Sequence, residues 1–242
     1  MKSNYIIDLL NRHTCLYCLN NKLSKNILII KKMNMNKMDR NIMVIKTSVL
    51  FGNEPRKNWF YTSEFNFEKN ILKNFEYMKR WLAEENINYK QPLPYAILKT
   101  NDWRLFMYQR WWKTSEVWEK RLYDKISFGV WWHIEEDVKN ASNPLLETLL
   151  REIEEEVWIS SKNIDKIDLI WYINDDTNDV GKVHFWIAYI VTLNTDDVKI
   201  DKWELANWKF ITEEEAKNIL NDKNINIESW SRIIMNVILD LD

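Results

Sequence analysis

Glycine is the residue that this chain lacks most. Only 3 of its 242 residues are Gly, whereas an average domain of this length has about 7% Gly, or roughly 17 residues. The shortfall of roughly fourteen equals the number of tryptophans, 14. Glycine serves positions where the backbone is left-handed or must approach another group closely. A chain with so little glycine must fill such positions with another residue, and the tryptophans are the candidates.

Other scarcities exclude several classes of protein. Neither sign of charge dominates, since 34 Lys and Arg face 36 Asp and Glu, so a specific nucleic-acid partner has no electrostatic basis. No apolar run approaches the ~20 residues of a membrane span. The first residues also lack the apolar core and cleavage site of a signal peptide. The sequence therefore predicts a cytoplasmic protein with no membrane partner.

Cysteine is nearly absent as well, and its two copies lie together. Cys15 and Cys18 form one CxxC pair with His13 nearby. A zinc site would need further ligands at a matching spacing, and none follow, so two ordinary cysteines are favoured. Residues 1–40 are rich in Asn, Lys and Ile without clear periodicity. We expect a disordered leader there, or an over-extended start with true initiation near Met38.

From residue 41 onward, strands and helices follow one another without strict alternation. This pattern predicts an α/β fold with a mixed β-sheet sandwiched between helices. Before the helix that begins at Pro144, the predicted segments are a strand at IMVIKTSVLF, a helix at EKNILKNFEYMKRWLAEE, a hairpin of QPLPYAIL and RLFMYQR, and a strand at KISFGV. After it come strands at IDLIWYI and KVHFWIAYIVTL, a short edge strand at WKFI, and helices at TEEEAKNIL and ESWSRIIMNVILDL.

The clearest helix has both a start signal and an apolar stripe. Asn143 is a favourable N-cap, and Pro144 suits the first helical position. The stripe follows the i, i+3, i+4, i+7 rule and consists of Leu146, Leu149, Leu150, Ile153 and Val157.

Three carboxylates share another face of this helix. Glu152, Glu155 and Glu156 stand at i, i+3 and i+4, where like charges repel unless a cation lies among them. Carboxylate oxygens suit Mg²⁺, which completes its shell with water and substrate phosphates. The alternative is a charged helix side that only meets solvent.

The segment LLREIEEEVWISSK resembles the signature of the Nudix hydrolases, in which Arg-Glu-aliphatic-any-Glu-Glu-any-Gly-aliphatic follows a glycine and a glutamate. The matching residues are Arg151, Glu152, Ile153, Glu155, Glu156 and Ile159. Trp158 takes the glycine position, and Asn143 takes that of the first glutamate. QPLPYAIL, MYQR, EKRLYDKISFGVWWHI, INDDTNDVGKVHF and ESWS are similar to a bacterial Nudix subgroup labelled as predicted phosphoesterases. The resemblance covers about residues 41–242, with 93–242 as the hydrolase domain and 41–92 as an extension packed on it.

This resemblance implies a hydrolase that uses Mg²⁺ or Mn²⁺ to cleave a pyrophosphate bond in a nucleoside diphosphate linked to another moiety. Glu152, Glu155 and Glu156 would bind the metal, and Arg151 would orient them. The general base would be a box glutamate or one of the loop residues Glu135, Glu136, Glu204 and Glu214, among which the sequence does not decide; Glu136 is the candidate chosen as catalytic. Any role of the missing first glutamate would pass to Glu135, Glu136 or Asp137, or be absent. Candidate substrate contacts are Arg110, Arg121, His133, Asp175, Asp176, Lys182 and His184. Ordinary surface charges, a structural histidine and turn-forming aspartates are the competing interpretations. Oligomeric state is not fixed by the sequence, and a homodimer stays open.

In this resemblance, most tryptophans occupy glycine positions. Trp131 and Trp132 fall on a Gly-Gly pair before His133, and Trp103 lies where a hairpin turn favours glycine. The others in glycine or loop positions are Trp59, Trp81, Trp111, Trp112, Trp118, Trp158, Trp171 and Trp186. Trp203 and Trp208 are less certain, and only Trp230 matches a family tryptophan.

So many replacements suggest a systematic cause, namely UGA codons of an alternative genetic code translated as Trp instead of Gly. The alternative is a Trp-rich relative that has become a catalytically impaired nucleotide-binding or regulatory module. Isopentenyl-diphosphate isomerase, whose Nudix-like loop also carries Gly-His, is disfavoured because its active-site cysteine has no counterpart here.

Overall fold

The computed structural model describes residues 36–54, 56–110, 123–200 and 205–240. The chain divides into two units, Met1–Arg40 and Asn41–Asp242. Of the first unit only residues 36–40 are described, with a 3-10 turn at Lys37–Asp39. The leader and the boundary at residue 92 therefore stay predictions. The predicted features outside the described residues are His13, Cys15, Cys18, Trp111, Trp112, Trp118, Arg121, Trp203 and Glu204.

The second unit is built from short helices around a long mixed sheet. Its strands are β1 Asn41–Lys46, β2 Phe60–Thr62, β3 Glu76–Lys79, β4 Tyr89–Thr100, β5 Leu105–Arg110, β6 Ile126–Ser127, β7 Val130–Trp131, β8 Ile164–Ile173, β9 His184–Leu193 and β10 Leu205–Ile211. Its α-helices are α1 Thr47–Phe51, α2 Phe67–Asn74, α3 Arg80–Ala83, α4 Pro144–Glu156, α5 Asp179–Val183, α6 Glu213–Asn221 and α7 Ser229–Ile238.

The main path of the sheet runs β10-β5-β4-β9-β8-β2. β4 and β9 pair in parallel along ten positions, from Gln91 opposite His184 to Thr100 opposite Leu193. The neighbouring pairs β5–β4 and β9–β8 are antiparallel. β1 extends the sheet by pairing with β3 and β4. The prediction of a mixed sheet is confirmed.

Alternate residues of the central strands face two different apolar cores. Ala96 and Leu98 of β4 belong to the core that contains the buried leucines of α4. Tyr95 and Ile97 belong to the core that contains residues of α6 and α7. Because successive side chains of a strand point to opposite faces, helices cover both faces of the sheet, as predicted.

Two local predictions before β4 were wrong. The strand predicted at IMVIKTSVLF ends at Lys46, which pairs with Tyr89, and α1 follows it. The helix predicted at EKNILKNFEYMKRWLAEE ends at Asn74, and β3 then pairs with β1 before α3 begins. Pairing with a distant strand overrode the local helical spacing.

Two further differences concern boundaries. KISFGV forms two short strands, β6 and β7, which pair with β5 and β4 respectively. The strand predicted at KVHFWIAYIVTL begins only at His184, because Lys182 and Val183 belong to α5.

Among the helices of the described ranges, none combines the length and the apolar character that a membrane span requires. The cytoplasmic location stays a prediction.

Candidate active site

Helix α4 begins as the sequence predicts. The Oδ1 atom of Asn143 accepts hydrogen bonds from the backbone N–H groups of Leu145 at 3.0 Å and Leu146 at 3.2 Å. Pro144 follows at the first helical position. The Nδ2 atom of Asn143 donates to Oε1 of Glu68 at 2.8 Å. Asn143 thus caps the helix and also ties it to α2, a contact that the sequence did not reveal.

The apolar stripe of α4 is rotated slightly from the predicted one. Leu149, Ile153 and Val157 are fully buried as expected, and Leu145 joins them. Leu150 was predicted in the stripe but is 36% exposed. Burial of this face against the sheet fixes the direction of the adjacent acidic face, whose Glu152 and Glu156 border the stripe and are themselves partly buried.

The three carboxylates of the acidic face lie close enough to influence one another. Glu152 is largely buried, with 16% of its side chain exposed, whereas Glu155 is exposed and Glu156 is half-buried. Burial raises the pKa of Glu152, and the negative charges of Glu156 and Glu155 raise that pKa further. This repulsion is what an acidic metal-binding face has when no cation neutralises it.

Arg151 connects the helix to the loop before it. Its Nη2 atom donates to Oε1 of Glu152 at 2.9 Å, and its Nη1 atom donates to Oδ2 of Asp137 at 3.0 Å. Asp137 was only one of three loop carboxylates considered for the missing glutamate, yet it is the one that pairs with Arg151. The chosen base, Glu136, instead accepts from Asn41 Nδ2 at 2.7 Å and Lys139 Nζ at 3.0 Å. The hydrogen bond from Asn41 is the largest of the effects that lower the pKa of Glu136.

The end of α4 carries backbone strain at Trp158. This residue has a φ of +56°, the left-handed region that glycine adopts freely and other residues rarely. The turn is closed by Ile159 N–H, which donates to the carbonyl of Ile153 at 3.4 Å. Because the Trp158 side chain is 56% exposed, little packing offsets a strain of about 1–2 kcal/mol.

Trp103 has the same conformation in the β4–β5 hairpin. Its φ is +64°, and its side chain is 49% exposed. Of the ten tryptophans in the described ranges, Trp103 and Trp158 alone have a positive φ. Trp131 and Trp132 do not, and they lie in and just after β7. A left-handed backbone is therefore not what glycine would supply at that pair.

The interior tryptophans differ in another way: their indole N–H groups have no hydrogen-bond partner among the described residues. The indole Nε1 atoms of Trp131, Trp132, Trp186 and Trp230 are buried with no partner among the described residues. Buried indole N–H groups usually find one. Trp186, the third residue of β9, stacks on Trp230 with ring centroids 4.6 Å apart.

Two predicted histidines meet next to a glutamate that the sequence analysis did not select. The Nε2 atoms of His133 and His184 are 3.3 Å apart, and Oε1 of Glu84 lies 3.6 Å from Nε2 of His133. Burial lowers the pKa of His184 to about 4, so this imidazole is neutral at pH 7. Glu84 was missed because it follows a short helix, far in sequence from either histidine.

The predicted aspartates Asp175 and Asp176 hold the turn after β8. Asp175 is buried and accepts from Thr177, from Asn178 and from Ser229 of α7. Asp176 pairs with Lys90 Nζ at 2.8 Å and with Arg56 Nε at 2.7 Å. Asp175 thus has turn-forming contacts, whereas Asp176 joins the turn to Lys90 of β4 and to Arg56.

The two predicted cations within the described ranges, Arg110 and Lys182, are each paired with a carboxylate. Arg110 Nε donates to Oε1 of Glu228 at 2.8 Å, and its guanidinium lies 5.3 Å from the ring centroid of Trp131. Glu228 is fully buried, so this is an interior ion pair and not an ordinary surface charge. Lys182 Nζ donates to Asp179 at 2.9 Å.

Comparison with known proteins gives two informative matches, and no family model matches the chain. Protein YmaB of Bacillus subtilis (strain 168) is 30% identical over 213 residues, which cover 84% of this chain and 100% of YmaB. The crystal structure of Tm1382, described as a Nudix hydrolase, superposes with a TM-score of 0.67 at 24% identity, covering 84% of this chain and 100% of Tm1382. The chain therefore belongs to the family of YmaB and has the Nudix fold.

Proposed function

We propose that the chain is a pyrophosphohydrolase that uses Mg²⁺ or Mn²⁺ and cleaves a nucleoside diphosphate linked to another moiety. The observation that carries the proposal is the acidic face of α4, where Glu152, Glu155 and Glu156 lie together on a helix that is capped and packed on a Nudix fold. Membership of the bacterial predicted-phosphoesterase subgroup is part of the same proposal.

The residues present fit a divalent cation. The charges of Glu155 and Glu156 raise the pKa of Glu152, and a cation among the three carboxylates would relieve that repulsion. When bound there, a divalent cation neutralises phosphate charge and lowers the pKa of a water molecule. Arg151 neutralises part of the same charge and holds Glu152 and Asp137 in position.

The other site residues have narrower roles in the proposal. Glu136 is the proposed base, and its two hydrogen-bond donors, Asn41 and Lys139, keep the carboxylate ionised and oriented. The proposed substrate contacts stay those of the sequence analysis, namely Arg110, Arg121, His133, Asp175, Asp176, Lys182 and His184. Asp175 and Asp176 already have hydrogen-bond partners within the fold, so a substrate would have to compete for them.

The proposal includes glycine in place of most tryptophans in the natural protein, through UGA codons read as Gly. Two observations support it. Trp158 and Trp103 have the left-handed backbone that glycine favours, with exposed side chains. Trp131, Trp132 and Trp186 bury indole N–H groups without partners among the described residues. Trp230 lacks a partner too, so the backbone angles are the stronger support.

Peptide mass spectrometry of the protein purified from its own organism tests the glycine proposal. The peptide that contains position 158 should be lighter by the difference between a tryptophan and a glycine residue. A peptide with the tryptophan mass would contradict the recoding and would favour the impaired nucleotide-binding module.

Two glutamate variants on the same helix test the hydrolase proposal. Glu156→Gln removes a carboxylate of the acidic face, and Glu154→Gln removes an exposed one off that face. We expect Glu156→Gln to lower Mg²⁺-dependent cleavage of ADP-ribose and related diphosphates by at least the roughly 100-fold that loss of an outer-shell partner can cost. Glu154→Gln should retain the rate. Equal rates in both variants would contradict the role of the acidic face.

A further inference from the structure

We propose that Glu84, His133 and His184 form a second metal site, separate from the acidic face of α4, that binds Zn²⁺ or a similar borderline divalent cation. Each of the three residues offers one ligand atom within 4.8 Å of the other two, and the printed distances join Nε2 of His133 to Nε2 of His184 and to Oε1 of Glu84. The Nε2–Nε2 distance is 3.3 Å, and the distance from Nε2 of His133 to Oε1 of Glu84 is 3.6 Å. Ligands 2.0–2.1 Å from a tetrahedral zinc ion are about 3.3–3.4 Å apart, so the observed spacing is near that of a zinc site.

The orientation of His184 leaves the correct nitrogen available. Its Nδ1 atom lies 2.7 Å from the carbonyl oxygen of Val180, and a carbonyl can only accept a hydrogen bond, so Nδ1 carries the proton. Nε2 then has the lone pair and points toward the other two ligands. A ligating histidine that donates its second ring N–H to a backbone carbonyl is the usual arrangement in metal sites.

Contacts within the fold also hold Glu84 and the start of β9 in position. Glu84 directly follows α3, and its Oε1 atom accepts from Nε of Arg80 at 3.2 Å. The backbone carbonyl of His184 accepts from Lys90 Nζ at 3.1 Å, which fixes the start of β9. The side chains of Glu84 and His133 are 4% and 10% exposed. A cation here would join α3, the segment after β7, and β9, which are far apart in sequence.

The donor set distinguishes this site from the acidic face of α4. Two imidazoles and one carboxylate suit zinc and related transition metals, whereas Mg²⁺ prefers oxygen ligands. Three protein ligands leave a fourth position of a tetrahedral ion for water or a substrate oxygen. The ring of Trp131 lies 5.8 Å from both imidazole centroids. A glycine at position 131 would therefore remove a bulky neighbour of both histidines.

Without a metal, the same residues would be held by a hydrogen bond between the two imidazoles. A separation of 3.3 Å also permits an N–H···N hydrogen bond between the two rings, so this distance does not distinguish the two cases. Metal binding by the full chain separates the two cases, and the CxxC pair at Cys15 and Cys18 requires its own control because thiolates also bind zinc.

The test measures zinc bound per chain after chelation and reconstitution with Zn²⁺ alone, by elemental analysis and competition with a chromophoric chelator. We expect one zinc that is retained in the Cys15→Ser/Cys18→Ser variant and in Glu156→Gln. Glu84→Gln and His184→Ala should lose it while circular dichroism shows that they remain folded. Zinc that stays in Glu84→Gln and His184→Ala, or leaves with the cysteines, would overturn the proposal.

If both ligand variants fail to fold, the spectrum of the Co²⁺-substituted unaltered chain decides the question. We expect intense d–d bands of a tetrahedral nitrogen–oxygen site without a thiolate charge-transfer band. A thiolate band, a weak octahedral spectrum or no stoichiometric binding would refute the site. None of these readouts depends on hydrolase activity, so the zinc site is tested separately from cleavage at the acidic face of α4. With zinc bound, His133 and His184 would contact a substrate only through the metal.

Discussion

Trp158 shows how a single residue can conflict with the element that it ends. Its φ of +56° is imposed by the turn between α4 and Ile159, and its exposed side chain gains little packing in return. Glycine has no Cβ and adopts this conformation without penalty, whereas alanine retains the penalty.

Two substitutions at this position separate backbone strain from the loss of the indole. We expect Trp158→Gly to be more stable toward urea than Trp158→Ala by about 1–2 kcal/mol, the cost of a left-handed non-glycine residue. The measurement is the free energy of unfolding from equilibrium denaturation. Equal stability of the two variants would show that position 158 is not strained.

Lys90 provides a second test at the residue scale. It is fully buried and donates to Asp176 at 2.8 Å and to the carbonyls of Gly181 and His184. Burial lowers its pKa to about 8, so Lys90 is charged at pH 7 and depends on Asp176. We expect Asp176→Asn to lower the free energy of unfolding by about 3–5 kcal/mol, since a buried charge loses its partner.

The double variant Lys90→Met/Asp176→Asn is the matched control and should recover most of this loss.

The contribution of Asp176 to the free energy of unfolding depends on pH with a defined sign. Hydrogen bonds from Arg56 and Lys90 lower the pKa of Asp176 to about 2, below its ordinary value of 3.8. Its contribution is therefore present above about pH 4 and is lost as the pH falls toward 2. An acid transition that is unchanged in Asp176→Asn would contradict this assignment.

At the scale of the element, α4 is the part that local sequence predicts best. Asn143, Pro144 and the leucine spacing are all signals within one segment. Asn143 and Pro144 have the predicted roles, and Leu150 departs from the predicted stripe because it is exposed. Segment 67–83 was predicted worse because Glu76–Lys79 is a strand only through pairing with β1. KISFGV likewise divides into two strands because β5 and β4 each bind one part of it.

The charge on the acidic face of α4 links the thermal stability of the protein to metal binding. The pKa of Glu152 is raised by burial and by Glu156, so its ionised form lowers the stability of the metal-free fold at pH 7. We expect Glu152→Gln to raise the melting temperature without metal and to abolish most of the increase that Mg²⁺ gives the unaltered chain. Thermal melts with and without Mg²⁺ measure both effects.

The matched control for this prediction is Glu154→Gln on the exposed side of the helix. It should leave both melting temperatures within about 1 °C, since exposed substitutions change stability little. A Mg²⁺ response that survives in Glu152→Gln and disappears in Glu154→Gln would place the cation elsewhere.

At the scale of the whole molecule, the cluster of Glu84, His133 and His184 depends on long-range contacts that no local sequence pattern contains. His184 begins β9, which lies parallel to β4 and antiparallel to β8. Glu84 and His133 reach it from segments about 50 to 100 residues away in sequence. The two histidines were selected from family resemblance, but their meeting with Glu84 requires the sheet order. The sequence therefore predicted α4 and its three glutamates, whereas the contact of Glu84 with the two histidines follows only from the order of the strands in the sheet.

The proposed metal-dependent pyrophosphohydrolase has glycine at backbone-critical positions in its natural form. The direct test compares the full chain as printed with a version that carries glycine at positions 103, 131, 132, 158 and 186. Both receive Mg²⁺ and a panel of nucleoside diphosphate derivatives in ¹⁸O-labelled water, and phosphate-bearing products are quantified. The glycine form should release ¹⁸O-labelled products faster than the tryptophan form, and adding Glu156→Gln to the glycine form should abolish the release. A folded glycine form that binds nucleotide but cleaves no diphosphate would exclude the proposed hydrolase.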